Sequence, residues 1–548
     1  MRENGRGSVL SAMVSVPAIA LLTILLVACA PAGTPATPRD PSAVPAAGGP
    51  GATATIQPAA PAAAAQKPTS VGPGAPVTTR PAAPTVAAGV LKLLKTSPER
   101  GPVGSSITVT GEGLPAGKAA NIVWWTLDGS YDTRVAKNSI EYVDRKFTDK
   151  RVILGQTTID GQGRLVATFP APEDYGELHD IYISVDNEDV AKGGFRLARS
   201  FTMSPSEGPV GTLITIKVTG LGWKAYESTA ALTYDNKYTG FISATTTRGT
   251  AVFQFRASGP AGKHFISVDG ASHTLPYLNV QQSPVAQLVP FKQVFTVTDG
   301  SGPIEARLDW PDQSKVVAGD KTPRTTLISG NAPGVNARLS ATYGPILSSA
   351  TLNATGLPAG TTADIAFLTV LGNRVIGGWD VIKTPMGQVQ VGSDGSVNTT
   401  IAIPEGLGGW HAVALMVNDK IMAEVPFFVE RSVVGVTPTR VKAGEKFTVQ
   451  IKGVGWTELD NGVAVTYDNA YMGMACGFNS NGDVTIEFVA TGGPGTHLID
   501  LYPMIYDGGN GKYPWQYNLP HLTYAQDAPG LALGYRLPAI RLAIEVVE

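Results

Sequence analysis

Short runs in which apolar and polar residues alternate recur along most of the chain. In the segment ITIKVTG, the apolar residues Ile214, Ile216 and Val218 fall on one face, and the residues between them are polar. This period of two predicts β-strands with one buried face. Gly- and Asx-rich turns such as TTRG and NSNG separate the runs, giving about seven short strands in each ~100 residues. The pattern therefore predicts an all-β chain of antiparallel β-sandwiches.

Two long stretches of this pattern are copies of one another. LTYDNKYTG at 232–240 returns as VTYDNAYMG at 465–473, and the offset of 233 holds without a gap from 204/437 to 268/501. Over these 65 aligned pairs 20 residues are identical. Upstream of each copy, GLPAG at 113–117 recurs at 356–360, so the body has the order A-B-A′-B′. The predicted boundaries are 90–200 for module A, 201–299 for module B, 300–335 for a linker between the halves, 336–432 for module A′ and 433–548 for module B′.

The N-terminus carries a different, continuous pattern. Arg2 and Arg6 precede an apolar run from about Val9 to Ala28, which ends in LVAC at Cys29. This arrangement resembles the bacterial lipoprotein signal peptide, which implies removal of residues 1–28, acylation of Cys29 and an extracytoplasmic location at the membrane or cell surface. The alternative is an uncleaved transmembrane anchor, because the run approaches the ~18 to 20 apolar residues that span a bilayer.

The segment after Cys29 has almost no large apolar residue. Residues 29–89 are rich in Pro, Ala and Thr. Such a composition buries too little surface to offset the entropy of ordering the chain, so we expect a disordered tether between the membrane and the modules.

Composition narrows the classes of function. The formal net charge is −2, which provides no basic surface for nucleic acid. The chain has two cysteines, Cys29 and Cys476, so no disulfide framework is possible. We find no nucleophile elbow, zinc spacing, phosphate loop or dinucleotide fingerprint, and we predict no cofactor, no metal and no enzymatic activity.

The repeated TYDN and four recurrent histidines invite a functional interpretation. Each TYDN offers one carboxylate, whereas calcium needs several clustered oxygen ligands, so we expect a tight turn instead. The histidines occur once in each module, which prevents them from converging on one site. We expect structural roles for all four, which are His179, His264, His411 and His497.

The opening of each module supports a family resemblance. SPSEGPVGTLITIKVTGLGW, with Gly220, Gly222 and Trp223, resembles the immunoglobulin-like IPT/TIG modules of bacterial surface proteins. The resemblance is weaker in A and A′, where Leu114 and Leu357 replace the aromatic residue. It implies tandem immunoglobulin-like sandwiches that act in adhesion, spacing or glycan-associated roles.

Insertions mark where the copies diverge. Module B′ gains 11 residues between Leu501 and Leu519, which bring aromatic side chains into a Gly-rich loop. We expect this loop either to fold back on the A′–B′ contact or to bind a sugar or protein. Its candidate binding residues are Tyr506, Tyr513, Trp515 and Tyr517. A second insertion, at 129–155 in module A, is charged and is expected to be a solvated loop, with partner contact as the alternative.

Together these features predict a non-catalytic surface lipoprotein. An acyl anchor joins it to the membrane, and its modules act as a spacer, as an adhesin or in the structure of the cell envelope. The alternative is a glycan-binding accessory protein that uses the aromatic loop.

Overall fold

The computed structural model describes residues 90–136, 139–224, 226–272, 274–282, 291–302, 305–317, 330–373, 378–506 and 518–548. The predicted signal peptide and tether, including Cys29, lie outside these residues. In the described part of the chain, regular structure consists of strands and four short 3-10 turns, Val280–Gln282, Gln313–Lys315, Phe478–Ser480 and Leu531–Leu533. None of the described residues forms a helix with the length and hydrophobicity needed to cross a bilayer.

Module A contains nine strands in two sheets. One sheet has the order β1-β9-β8-β5-β6 with β3 beside β9, and the other has the order β2-β4-β7. The strands are β1 (Lys92–Leu93), β2 (Lys95–Ser97), β3 (Arg100–Gly101), β4 (Ser106–Gly111), β5 (Ala119–Ala136), β6 (Ser139–Thr158), β7 (Leu165–Pro170), β8 (Glu177–Val185) and β9 (Glu188–Leu197).

Module B repeats this plan with the sheets β10-β12-β15 and β11-β18-β16-β13-β14, and β17 pairs with β16. Its strands are β10 (Ser200–Ser204), β11 (Glu207–Val210), β12 (Leu213–Thr219), β13 (Thr229–Tyr234), β14 (Lys237–Ser243), β15 (Ala251–Arg256), β16 (Gly262–Ser272), β17 (Leu275–Pro276) and β18 (Phe291–Ser301). Ile214, Ile216 and Val218 of β12 are buried, as their alternation predicts.

Module A′ forms the sheets β20-β22-β25 and β21-β27-β26-β23-β24. Between the halves, β19 (Arg307–Asp309) belongs to the predicted linker but pairs with the last strand of B′. The strands of A′ are β20 (Asn336–Leu339), β21 (Tyr343–Pro345), β22 (Ser349–Thr355), β23 (Thr362–Asn373), β24 (Gly378–Gln390), β25 (Val397–Ala402), β26 (Gly409–Val417) and β27 (Lys420–Glu430).

Module B′ forms the sheets β28-β30-β33 and β19-β35-β34-β31-β32, with β29 beside β35. Its strands are β28 (Ser432–Thr437), β29 (Arg440–Lys442), β30 (Lys446–Lys452), β31 (Gly462–Tyr467), β32 (Ala470–Cys476), β33 (Val484–Val489), β34 (Gly495–Pro503) and β35 (Ala539–Val547). The prediction of an all-β chain of immunoglobulin-like sandwiches is confirmed, because each module closes a core between a large and a small sheet.

The modules also share a core, which the sequence does not predict. All described residues belong to one compact unit, Thr79–Glu548. Inside it, one cluster of buried apolar side chains draws on all four modules, and we call it the central cluster. Its buried members are Ile140 and Tyr142 from A, Phe241 from B, Trp410 and Phe428 from A′, and Leu459, Ile505, Leu519 and Tyr535 from B′.

The insertion at 129–155 corrects one expectation. It is not a solvated loop, because β5 and β6 extend through it as a hairpin whose strands pair from Ala119–Thr158 to Ala136–Ser139. Ile140 and Tyr142 near its tip are buried in the central cluster. The charged residues nearer the middle of β6 stay exposed, which explains the polar composition of the insertion.

Candidate functional site

The structure describes the base of the aromatic loop of module B′. Tyr513, Trp515 and Tyr517 lie outside the described residues, as does Cys29. Tyr506, the first aromatic residue of the insertion, is half-buried where the chain leaves the body of B′. The structure therefore places one of the four candidate binding residues and describes the segments on both sides of 507–517.

Both ends of this loop are attached to B′. The backbone N–H of Tyr506 donates a hydrogen bond to the carbonyl of Glu458 at 2.7 Å. The ring of Tyr506 lies edge-on to Phe478, with 6.2 Å between the ring centroids. At the other end, the hydroxyl of Tyr471 donates to the carbonyl of Asn518 at 2.7 Å.

Module B holds the matching connection in the same way. Tyr238, the counterpart of Tyr471, donates its hydroxyl to the carbonyl of Thr274 at 2.9 Å. Thr274 and Asn518 are separated by 244 residues, which is the offset of 233 plus the 11-residue insertion. The insertion thus enlarges a connection whose attachment point is common to both copies.

After the loop, the chain folds back along strand β14 of module B. The N–H of Phe241 donates to the carbonyl of Pro520 at 2.9 Å, and the N–H of Leu522 donates to the carbonyl of Phe241 at 2.9 Å. His521 stacks on the Phe241 ring with 4.5 Å between centroids. This return segment joins B′ to B, so the expectation that the insertion folds back is fulfilled by the residues that follow it, although on B as well as on B′.

A buried polar cluster lies beside this return segment. The Asp527 carboxylate accepts hydrogen bonds from Ser243 Oγ at 2.7 Å and from the Tyr131 hydroxyl at 3.0 Å. It also accepts from the backbone N–H groups of Thr245 and Thr246. The cluster connects modules A, B and B′, because Tyr131 comes from the β5–β6 hairpin.

The residue types in this cluster are those of serine hydrolases, but their arrangement differs. His521 Nε2 lies 3.0 Å from Ser243 Oγ, while the carboxylate of Asp527 bonds the serine itself instead of orienting the imidazole. All three side chains are buried. Burial lowers the pKa of His521 to about 4 and raises that of Tyr131 well above its usual value. The cluster thus acts as a neutral structural contact between modules.

The sequence gives little signal for this cluster. Ser243 corresponds to Cys476 in the other copy, and His521 and Asp527 follow the insertion, beyond the aligned pairs. Cys476 lies on β32 as a strand residue, and burial raises the pKa of its thiol to about 11, which keeps it protonated at neutral pH.

The four module histidines have the structural role that the sequence predicts. In each module, imidazole Nε2 lies within hydrogen-bonding distance of the carbonyl four residues upstream. The distances are 2.6 Å from His179 to Tyr175, 2.8 Å from His264 to Pro260, 2.9 Å from His411 to Leu407 and 2.8 Å from His497 to Gly493. Within the described residues, no three His, Cys, Asp or Glu side chains come together as a metal site would require.

The TYDN repeats are turns, as predicted. Asp235 and Asn236 have φ of 50° and 63°, and Asp468 and Asn469 have φ of 46° and 62°. These values belong to the two-residue hairpin turns that Asx residues favour. The aspartates also fasten the module histidines, since their Oδ2 atoms lie 2.6 Å from Nδ1 of His264 and His497, respectively.

Comparisons with known proteins add no family. No protein-family model and no curated protein matches the chain. Among solved structures, α-2-macroglobulin from Salmonella shares 10% identity over 83% of this chain and 31% of its own length, with a TM-score of 0.16. The Escherichia coli adhesin FdeC shares 12% identity over 62% of this chain and 96% of its own length, with a TM-score of 0.14.

These TM-scores are too low to support an argument about function. The chain also spans less than a third of the macroglobulin's length. The chain is therefore characterised by its own architecture, four immunoglobulin-like sandwiches joined through a common core.

Proposed function

We propose that this chain is a non-catalytic, extracytoplasmic lipoprotein that acts in adhesion or in assembly of the cell envelope. Its modules are of the IPT/TIG type, Cys29 carries the acyl anchor, and residues 29–89 form the tether. The single observation that supports this proposal best is the attachment of both ends of the aromatic loop to the body of B′.

Attachment at both ends favours binding by the loop. The ends at Tyr506 and Asn518 are fixed by hydrogen bonds, which leaves 11 residues between them. Fixing the ends of a loop lowers the entropy that is lost when a partner binds. Tyr and Trp are the side chains that most often dominate protein contacts, because they bury a large area with few rotatable bonds.

Glycan binding is the second candidate, and the composition of the loop favours it. Aromatic faces beside polar groups stack well on sugar rings. Residues 90–548 should be applied to a glycan array with Trp515→Ala, and with Phe265→Ala as a matched control, because Phe265 is an exposed aromatic residue of module B. Binding that Trp515→Ala removes and Phe265→Ala leaves intact would support the glycan function. Absence of binding would leave adhesion or envelope assembly, and turnover of glycan or peptide substrates would contradict both.

The anchor has its own test. Expression in a bacterium with a lipoprotein-processing pathway should yield a mature protein that begins at an acylated Cys29, detectable by mass spectrometry of the N-terminal peptide. Cys29→Ser should prevent acylation and cleavage. A wild-type protein that retains residues 1–28 would establish the transmembrane anchor instead.

A further inference from the structure

The two copies of one strand differ in what covers them. In module B, the side chains of Thr239, Phe241 and Ser243 on the outer face of β14 are all 2% exposed or less. Their counterparts in module B′, at the offset of 233, are Met472, Met474 and Cys476 of β32. Met472 is 60% exposed and Met474 38% exposed, so the same position in B′ presents an uncovered apolar surface.

The cover on β14 is an extended segment of the chain itself. Phe241 uses its outward N–H and C=O groups to bond Pro520 and Leu522, in a parallel bridge centred on His521. The covering residues, LPHLT at 519–523, contain no Asp, Glu, Lys or Arg. Module B therefore shows what kind of segment this strand binds, namely an extended and largely apolar one.

Strand β32 offers the same backbone geometry. Met474 pairs with Ala464 in the register in which Phe241 pairs with Ala231. In such an antiparallel ladder, equivalent residues direct their N–H and C=O groups to the same side, so those of Met474 point away from β31. Among the described residues, β32 is the outermost strand of its sheet.

A cleft beside β32 provides space for side chains. It has a volume of about 550 Å³ and is lined by Ala470 and Met472 of β32, by Glu487 and Val489 of β33 and by Lys237 from module B. This volume is within the range of about 300 to 1,000 Å³ that is usual for binding pockets. Val489 on β33 is 49% exposed, which extends the apolar surface across the cleft.

We propose that β32 binds an extended, largely apolar polypeptide segment of a partner protein by strand addition. The partner backbone pairs with the N–H and C=O of Met474, and its side chains contact Met472 and Met474 and enter the cleft. The surface is continuous with the contact between B and B′, since Tyr471 of the same strand packs on Tyr238 with 6.2 Å between ring centroids. This site is separate from the aromatic loop and does not depend on the function proposed for it.

The test uses the segment that already covers β14. A fluorescein-labelled peptide of residues 518–526, NLPHLTYAQ, is titrated with the full chain in detergent micelles, and binding is followed by fluorescence anisotropy. Met474→Asp should weaken binding at least about tenfold, because it places a charge against an apolar segment. Val166→Asp, which changes an exposed valine on edge strand β7 of module A, should leave the affinity unchanged.

A second probe tests the backbone contact without altering the protein. The same peptide with an N-methyl group on Leu522 lacks the donor that pairs with Phe241 in module B, and it should lose binding by a similar factor. The proposal is overturned if the unmodified peptide does not bind, or if Met474→Asp and N-methylation leave its affinity unchanged. Self-association of the full chain in sedimentation, lost in Met474→Asp, would also overturn it by assigning the strand to a second copy.

Discussion

A single histidine in each module holds the chain where it enters the second strand of its hairpin. The imidazole fills a buried position and satisfies a carbonyl that would otherwise be unpaired, at a cost of about 1 to 3 kcal/mol. His411 shows this role without a carboxylate nearby, since its Nε2 faces only the carbonyls of Leu407 and Gly408. Its ring also stacks on Phe367 at 5.0 Å.

Burial of His411 predicts a pH dependence of stability. Burial lowers the pKa of His411 to about 4, below the value near 6.5 in an unfolded chain. The stabilising contribution is therefore complete above pH 6.5 and is lost as the pH falls toward 4, by about 1.4 kcal/mol per pH unit. His411→Gln keeps a donor for the carbonyl and removes this dependence.

Denaturant unfolding between pH 4 and 7 measures the effect. The free energy of unfolding of His411→Gln should fall less steeply with decreasing pH than that of the wild type. The difference isolates His411 from other buried groups, such as Asp460, whose pKa is raised to about 6 by burial and which acts in the opposite direction. Parallel pH profiles for the two proteins would contradict the role given to His411.

At the level of elements, the β5–β6 hairpin fastens module A to module B′. The carboxylate of Glu458 accepts from the backbone N–H of Tyr142 at 2.8 Å, and the N–H of Glu458 donates to the carbonyl of Ile140. These contacts surround the apolar side chains that the hairpin contributes to the central cluster. The hairpin therefore acts as a connector between modules that are far apart in sequence.

Ile140→Ala tests this connector. Removal of a buried isoleucine side chain should lower the free energy of unfolding by about 2 to 4 kcal/mol, through lost burial and the cavity left behind. Val143→Ala, a change three residues away at a side chain that is 39% exposed, should have little effect. Equal stability of the two variants in denaturant titrations would show that the tip of the hairpin is not packed as described.

The sequence predicts the strands and modules well and the contacts between modules poorly, for a physical reason. Alternation in β12 reports one buried face, and the 233-residue offset reports a shared fold. In β14, KYTGFIS lacks alternation because both faces are covered, one by the core of B and the other by the return segment. A pattern can show that the outer face is apolar, but it does not identify Leu519–Thr523, far away in sequence, as its cover.

At the scale of the whole molecule, buried charges join the two halves. Arg256 of module B pairs with Asp500 of module B′, and Arg541 pairs with both Asp500 and Asp309. Arg256, Asp500 and Arg541 are almost entirely buried. Such a network imposes one orientation of B on B′, because any other leaves charges without partners.

Asp500→Asn tests this network. Loss of the carboxylate leaves two buried guanidinium groups with fewer partners and should lower the free energy of unfolding by about 3 kcal/mol or more. Glu487→Gln, which breaks the exposed pair with Lys446, should leave the denaturant midpoint unchanged. Similar midpoints for both variants would show that the buried network does not hold the halves together.

Small-angle X-ray scattering on residues 90–548 tests the common core most directly. Compact chains of this length have a radius of gyration of about 23 Å. We expect a value within a few ångströms of this, because the central cluster gathers all four modules into one body. A radius roughly twice as large, as four sandwiches in a linear string would give, would contradict the account.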